Sequence, residues 1–232
     1  MGNETMSKAL VSLLIVGLAL AAQAQIPDAP STTKPPTDTQ KPGTRHGVGP
    51  YLGTGNAADK VEPLSVGQKF GFAAWNSFSP LTYPEVALIA GIRQASNQQP
   101  TWGQGAEGFG KRFGASFADQ AIGNMMAQAV FPSLLKQDPR YFRLGRGGFG
   151  KRVGYGLSRL WVTRRDDGTR TANVSEIVGT GVAAGISRIY YPSVDRTAAK
   201  TLGNWGIQLG VAAGWNEFYE FWPDIRHAIF RK

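Results

Sequence analysis

The chain has no cysteine and only two histidines. Without cysteine it cannot form disulfides, carry a lipid on an N-terminal cysteine or build a thiolate metal site. His46 lies in a proline-rich stretch, which leaves His227 as the histidine available for a catalytic triad, and no Gly-x-Ser-x-Gly motif accompanies it. We therefore predict no metal site and no cofactor.

The chain also lacks an apolar run long enough to cross a bilayer as a helix. The best candidate, residues 9–22, is shorter than the roughly twenty residues that a spanning helix needs. It follows Lys8 and ends in Ala22-Gln-Ala24, the small-x-small pattern that signal peptidase accepts. We predict a signal peptide over residues 1–24 and export to the periplasm or outer membrane of a bacterial envelope.

Apolar clusters are nearly absent between residues 25 and 63, where proline, threonine, aspartate and lysine dominate. Such a stretch cannot bury enough apolar surface to offset the entropy lost on ordering. We therefore predict a disordered tether over residues 25–63. The remaining residues, 64–232, are enough for one folded domain.

Acidic residues are outnumbered, with 16 Asp and Glu against 25 Lys and Arg, and the formal charge is +9. Residues 136–170 hold most of the excess. Guanidinium groups bind phosphate in a bidentate manner and aromatic side chains anchor at interfaces. Because the chain is predicted to be exported, we expect an anionic lipid or envelope polymer as partner, and not nucleic acid. The candidate anion-binding residues are Arg140, Arg143, Arg146, Lys151 and Arg152. The alternative is a solvated loop in which Asp138 pairs with Arg140.

Three segments begin with a capping-box pattern, a small polar residue followed three positions later by Glu or Gln: Ser65–Gln68, Thr82–Glu85 and Asn173–Glu176. Apolar residues recur at helical spacing in four stripes: Val66, Phe70, Ala74 and Phe78; Phe109, Phe113, Phe117 and Ala121; Val178, Val182, Ile186 and Ile189; and Trp215, Phe218, Tyr219, Trp222, Ile225 and Ile229. This pattern predicts a mostly α fold, a compact bundle of about five to seven short helices.

One segment favours a different architecture. Residues 207–215 alternate large apolar with small or polar residues at period two, as a strand of a membrane barrel does. The alternative fold is therefore an eight-stranded membrane β-barrel.

The phrase Gly-Phe-Gly-Lys-Arg occurs twice, at residues 108–112 and 148–152. Glycines four apart share one helix face and make a notch in which another backbone can pack closely. We expect close helix packing there, within the chain or between copies in a homo-oligomer. The candidate packing glycines are Gly110, Gly114, Gly150, Gly154, Gly181, Gly185, Gly206, Gly210 and Gly214.

Paired carboxylates occur on the aromatic-rich last segment, where Glu217 and Glu220 lie three residues apart. Two carboxylates on one face are the minimum for acid–base work on a glycan, so these are weak candidates for a glycan- or lipid-acting hydrolase. Such spacing is common in proteins without that activity. The sequence favours a non-enzymatic, membrane-associated envelope protein with a basic surface.

Overall fold

The computed structural model describes residues 54–57 and 62–229, and the fold within them is mostly α, as predicted. The predicted signal peptide, and the predicted tether apart from residues 54–57, 62 and 63, lie outside these ranges. A π-helical stretch, Met125–Val130, joins the helix that ends at Asn124 to the one that begins at Phe131. The described ranges contain seven α-helices: α1 (Val66–Phe78), α2 (Thr82–Ala95), α3 (Gly105–Asn124), α4 (Phe131–Leu135), α5 (Phe149–Ser158), α6 (Val174–Ile186) and α7 (Ala198–Ile229).

Short strands fill the region between α4 and α6. Strand β1 (Thr54–Asn56) pairs in parallel with β3 (Tyr141–Arg143). Three further strands form an antiparallel sheet in the order β2-β4-β5, and they are β2 (Gln137–Asp138), β4 (Val162–Arg165) and β5 (Arg170–Ala172). Strand β1 falls within residues 25–63, so three residues of the predicted tether pair with the folded domain. Their backbone is ordered by the ladder to β3.

The capping-box predictions have three different outcomes. Ser65 caps α1 as predicted, and its backbone N–H donates to the Gln68 side chain at 2.8 Å. Asn173 caps α6 by accepting from the backbone N–H of Glu176 at 3.2 Å. The prediction at Thr82 is wrong, because Thr82 is already the first residue of α2 and its hydroxyl donates to the carbonyl of Asn76.

The alternative in which residues 207–215 form a strand is wrong for this segment, because all of it lies inside α7. Its large apolar and small residues are placed by the 3.6-residue helical period and not by alternation across a sheet. Among the described residues, no helix combines the length and the apolar composition that crossing a membrane requires.

The helices direct many of their apolar side chains outward. An apolar stripe ordinarily faces the core, but Val66, Phe70 and Phe78 of α1 are exposed. The same helix buries Lys69, Phe72, Ala73 and Ser77. Helix α6 repeats the arrangement, with Val174, Val178 and Val182 exposed and Ser175, Gly179, Thr180, Ala183 and Ala184 buried. The buried faces of α1 and α6 are therefore rich in small and polar residues.

Arg93 and Asp119 form a buried ion pair in the interior of the bundle. The guanidinium of Arg93 contacts the Asp119 carboxylate at 3.1 Å, and Asn204 accepts from it at 2.6 Å. The hydroxyls of Tyr190 and Tyr191 donate to the same carboxylate at 2.6 and 2.7 Å. This network ties α2, α3 and α7 together through hydrogen bonds where a usual core would have aliphatic contacts.

Candidate functional site

A cavity of about 300 Å³ lies between α1, α3, α6 and α7. Its lining includes Trp75, Pro80 and Leu81, which are exposed, so it reaches the surface at the turn between α1 and α2. The inner lining is rich in side-chain amides and aromatic rings. This is the lower end of the size range of small-molecule sites. We call it the polar cavity.

A series of hydrogen-bonded side-chain amides lines one wall of the polar cavity. Asn124 and Gln128 lie one turn apart on the helix that continues from α3, and the Gln128 amide donates to the Asn124 side chain at 3.0 Å. Asn76 of α1 donates to Gln128 at 2.7 Å, and Asn124 donates to Ser77 at 3.3 Å. These bonds hold the amides in fixed orientations, so the wall presents a defined set of donors and acceptors.

Glu85 and Glu176 each lie near the start of a helix, at the position where a capping box has Glu. Both side chains turn toward the interior. Burial raises the pKa of Glu176, which lines the polar cavity, to about 7. Burial also raises the pKa of Glu85 to about 6, although hydrogen bonds from Trp215 and Gln120 act in the opposite direction. Near neutral pH the cavity wall therefore contains an acid that is substantially protonated.

Gln208 of α7 lines the same cavity. Its side chain packs against Gly123 of α3, where an added Cβ would lie 2.6 Å from the Gln208 oxygen. Neither its amide oxygen nor its amide nitrogen has a hydrogen-bond partner among the residues described. Gly123 leaves the space that the Gln208 amide oxygen occupies, and a methyl group there would make the flexible end of that side chain shift.

A smaller cavity of about 60 Å³ adjoins the first and shares Glu176 and Asn216 with it. Its other walls include Arg140, Arg159 and Arg164. Burial lowers the pKa of Arg159, whose guanidinium stacks 4.5 Å from the centre of the Tyr155 ring. The two chambers differ in charge, because no Lys or Arg of the described chain lines the larger one.

A basic and aromatic surface is formed where the start of α5 meets the end of α7. Phe149 is 75 % exposed, and its ring lies 5.3 Å from that of Phe221. Arg146 and Lys151 are exposed on either side of Phe149 along the chain. Exposed apolar residues of α7 continue the surface, up to Ile229 at 65 %. We call this set the tip surface, and its members are Arg146, Phe149, Lys151, Trp222, Ile225 and Ile229.

The structure separates the five predicted anion-binding residues into two groups. Arg146 and Lys151 are exposed on the tip surface, while Arg143 is half-buried in β3. Arg140 forms an ion pair with Asp138 at 2.6 Å, the local pairing considered as the alternative. Arg152 also has acidic partners, so Arg140 and Arg152 are both paired with carboxylates, and anion binding by these two residues stays a prediction.

Glu220 is one of two acidic partners of Arg152, at 3.0 Å, and its side chain is completely buried. It also accepts from the Tyr141 hydroxyl and from the backbone N–H groups of Leu144 and Gly145 at 2.9 to 3.1 Å. A carboxylate with four donors and no exposure is a structural anchor, not one half of an accessible acid pair. Glu217 lies against Gly156, and its pKa is raised by burial and by the charge of Glu220.

Eight of the nine predicted packing glycines do not mark close contacts within the described chain. A Cβ at Gly181 would be in ordinary contact with the Trp205 ring at 3.6 Å, and Gly206 is half-buried in α7. The close crossing occurs at Gly179, where a Cβ would lie 2.8 Å from the Ala127 backbone. Packing between copies of the chain stays a prediction. An added Cβ would meet no atom within 4 Å at Gly110, Gly114, Gly150, Gly154, Gly185, Gly210 and Gly214.

No protein-family model, no curated protein and no solved structure matches this chain. The polar cavity and the tip surface are therefore the features of the molecule that indicate a function.

Sequence reasoning missed the polar cavity, although a signal for it was present. Gln120, Asn124 and Gln128 follow one another at four-residue spacing, which places three amides on one helix face. Gln208 has a single amide neighbour at that spacing, Asn204, because the next position along α7 is Ala212. Its role follows from the crossing of α7 over Gly123 and becomes evident only in three dimensions.

Proposed function

We propose that the chain is a non-enzymatic envelope protein that binds the surface of an anionic membrane through the tip surface. The observation that supports this is the exposed Phe149 between the exposed cations Arg146 and Lys151, beside the exposed apolar end of α7. Aromatic side chains favour the boundary between headgroups and acyl chains. The location in an envelope depends on the predicted signal peptide.

The charge of the tip surface suits an anionic lipid. Residues 145–151 contain two cations and no acid. The nearest exposed acid on α7, Asp224, is paired with Arg152 at 2.7 Å. Each Lys or Arg near an anionic membrane contributes about 1 kcal/mol of attraction. Arg146 and Lys151 are thus positioned to contact lipid phosphates while Phe149 enters the apolar layer.

The apolar exterior supports a lipid partner over a hydrophilic envelope polymer. Burial of exposed apolar surface stabilises a complex by roughly 25 cal/mol per Å², and a polysaccharide or teichoic acid offers no apolar phase in which to bury it. Exposed side chains such as Leu88 and Ile92 of α2 extend this character beyond the tip. A hydrophilic polymer would be bound by the cations alone, without a role for the apolar surface.

The test is a binding titration of the full chain with vesicles of phosphatidylglycerol and phosphatidylcholine. The double variant Arg146→Gln/Lys151→Gln should weaken binding about thirtyfold, since two contacts of about 1 kcal/mol each are lost. Phe149→Ser should also weaken binding. The charge-matched control is Arg165→Gln/Arg170→Gln, which removes two exposed cations from the β4–β5 hairpin and should change binding by less than about threefold.

Equal loss in the tip and control variants would contradict a specific tip surface and leave only a general attraction by the net charge. Undiminished binding of Phe149→Ser would contradict insertion of the aromatic ring. A third outcome would identify the polymer as the partner. In that case loss of the cations weakens binding, Phe149→Ser leaves it unchanged, and purified wall polymer competes with the vesicles.

A further inference from the structure

Gln208 is a buried amide that the fold leaves unsatisfied. The residue is 8 % exposed, and neither the oxygen nor the nitrogen of its side chain has a hydrogen-bond partner in the described chain. An unpaired buried polar group costs about 1 to 3 kcal/mol. Because the side chain lines the polar cavity, an occupant of that cavity can supply both the donor and the acceptor that it lacks.

Glu176 supplies a second uncommitted group in the same wall. No described residue forms a hydrogen bond or ion pair with its carboxyl group, and burial is the cause that raises its pKa to about 7. In the protonated form a carboxyl group donates one hydrogen bond and accepts others. Asn216 lines the cavity beside it. Together with Gln208, these groups present donors and acceptors in similar number.

The charge of the lining indicates what kind of molecule fits. No Lys or Arg of the described chain lines the polar cavity, so an anion would find no counter-charge. The other acid in the lining, Asp138, is already paired with Arg140. A neutral molecule with several hydrogen-bonding groups matches this environment best, because burying an unpaired charge is far more costly than burying a hydrogen-bonded hydroxyl.

Aromatic rings complete the wall. Trp215 and Tyr219 both line the cavity, with ring centres 5.6 Å apart, and the Trp215 N–H is occupied by Glu85 at 3.0 Å. The indole is therefore held in place, and it contributes its apolar face. Ligand sites combine such apolar surfaces with a few fixed polar groups. A sugar ring offers both an apolar C–H face and peripheral hydroxyls.

We propose that the polar cavity binds a neutral polyhydroxylated molecule of monosaccharide size, with Gln208 and Glu176 as its polar contacts. The cavity volume of about 300 Å³ admits one such ring. This proposal is independent of membrane binding, because the tip surface and the cavity lining share no residue. Failure of one proposal leaves the other standing.

The experiment is saturation-transfer NMR on the full chain, with glucose and N-acetylglucosamine as the probes. At least one sugar should show transfer to its ring protons. Gln208→Leu should weaken its binding about tenfold or more, since the variant removes both hydrogen-bonding atoms and each tenfold corresponds to about 1.4 kcal/mol. The matched control is Gln104→Leu, an exposed glutamine outside the cavity, which should bind as the wild type does.

Gln208→Leu should fold, because replacing an unsatisfied buried amide with an apolar side chain of similar size is neutral or stabilising. A urea unfolding curve checks this, so loss of sugar binding cannot be attributed to misfolding. Absence of transfer to both sugars in the wild type would overturn the proposal. Equal affinity of the wild type and Gln208→Leu would overturn the assignment of the contacts.

Discussion

Arg112 and Arg152 hold the same place in the two copies of Gly-Phe-Gly-Lys-Arg, and both turn inward. Arg112 has no exposed surface and donates to the carbonyls of Gln98, Gln99 and Gly103. The second copy places its arginine against a buried carboxylate on α7, while the lysine that precedes each arginine is exposed. The repeated phrase is thus a helix segment with an inward anchor beside an outward cation.

Arg112→Met should destabilise the fold strongly, because three backbone carbonyls lose their donor. With about 1 to 3 kcal/mol for each unsatisfied group, we expect the free energy of unfolding to fall by about 3 kcal/mol or more. The measurement is urea denaturation followed by circular dichroism. The matched control is Lys111→Met, which loses only an exposed ion pair with Glu107 and should change stability by less than about 1 kcal/mol. Similar effects of the two variants would refute the inward anchor.

Glu220→Gln should lower the free energy of unfolding by about 3 to 5 kcal/mol, the usual effect of removing one partner of a buried ion pair. Asp224→Asn serves as the control, since this acid contacts the same arginine from a side chain that is 59 % exposed. Its loss should cost no more than about 1 kcal/mol. A small effect at Glu220 together with lost activity on a glycan or lipid substrate would favour catalysis over anchoring.

Gly179→Ala should destabilise the crossing of α6 over the π-helical stretch, because the new methyl would lie 2.8 Å from the Ala127 backbone. Overpacking of this kind costs about 1 to 3 kcal/mol. Gly114→Ala, in open space within α3, should instead stabilise by up to about 1 kcal/mol through helix propensity. Thermal unfolding of the two variants compares them directly, and the same sign for both would contradict the assigned crossing.

Stability should fall as pH rises from about 5 to 8. Burial raises the pKa of Glu176 to about 7 and that of Glu85 to about 6, so the folded chain holds protons that the unfolded chain has released. The stabilisation from these two protonated carboxyl groups is therefore complete below the unfolded pKa near 4.5. It is lost as the pH rises through their pKa values in the folded chain. For Glu176 the free energy of unfolding falls by about 3 kcal/mol, since each pH unit between the unfolded and folded pKa corresponds to about 1.4 kcal/mol.

Glu176→Gln checks the source of this dependence. The variant should keep only the smaller dependence that comes from Glu85 and Glu217, and at pH 8 it should exceed the wild type in stability. Denaturant midpoints at pH 5 and pH 8 give the comparison. A wild-type midpoint that is flat or rises over this range would show that Glu176 is ionised in the folded state.

Fold class was predictable from the sequence because local signals agree with the final structure. Ser65 and Asn173 are caps whose bonds span only three residues, so their effect does not depend on the rest of the chain. The cap predicted at Thr82 does not form, because the tight turn after Ser79 lets α2 start at Thr82 itself. The Thr82 hydroxyl donates to the carbonyl of Asn76 instead. Such competing contacts determine where a helix begins more strongly than capping-box patterns in the sequence do.

The direction of the helix faces was not predictable from periodicity. A stripe such as Val66, Phe70 and Phe78 has the same period whether it faces a core or an apolar environment outside. The buried positions of α1 include Lys69, whose ammonium contacts Asp166, a residue 97 positions away, at 2.7 Å. Pairings at such separation leave no local trace, so the polar centre and the cavity emerge only from the three-dimensional structure.

The measurement that tests membrane binding most directly is quenching of Trp222 fluorescence by brominated lipids. Trp222 belongs to the tip surface and is exposed. Anionic vesicles with bromines near the headgroup end of the acyl chains should quench the wild type, and Trp222→Phe should lose most of that quenching. Quenching that is absent in the wild type, or unchanged in Trp222→Phe, would contradict contact between the tip surface and lipid.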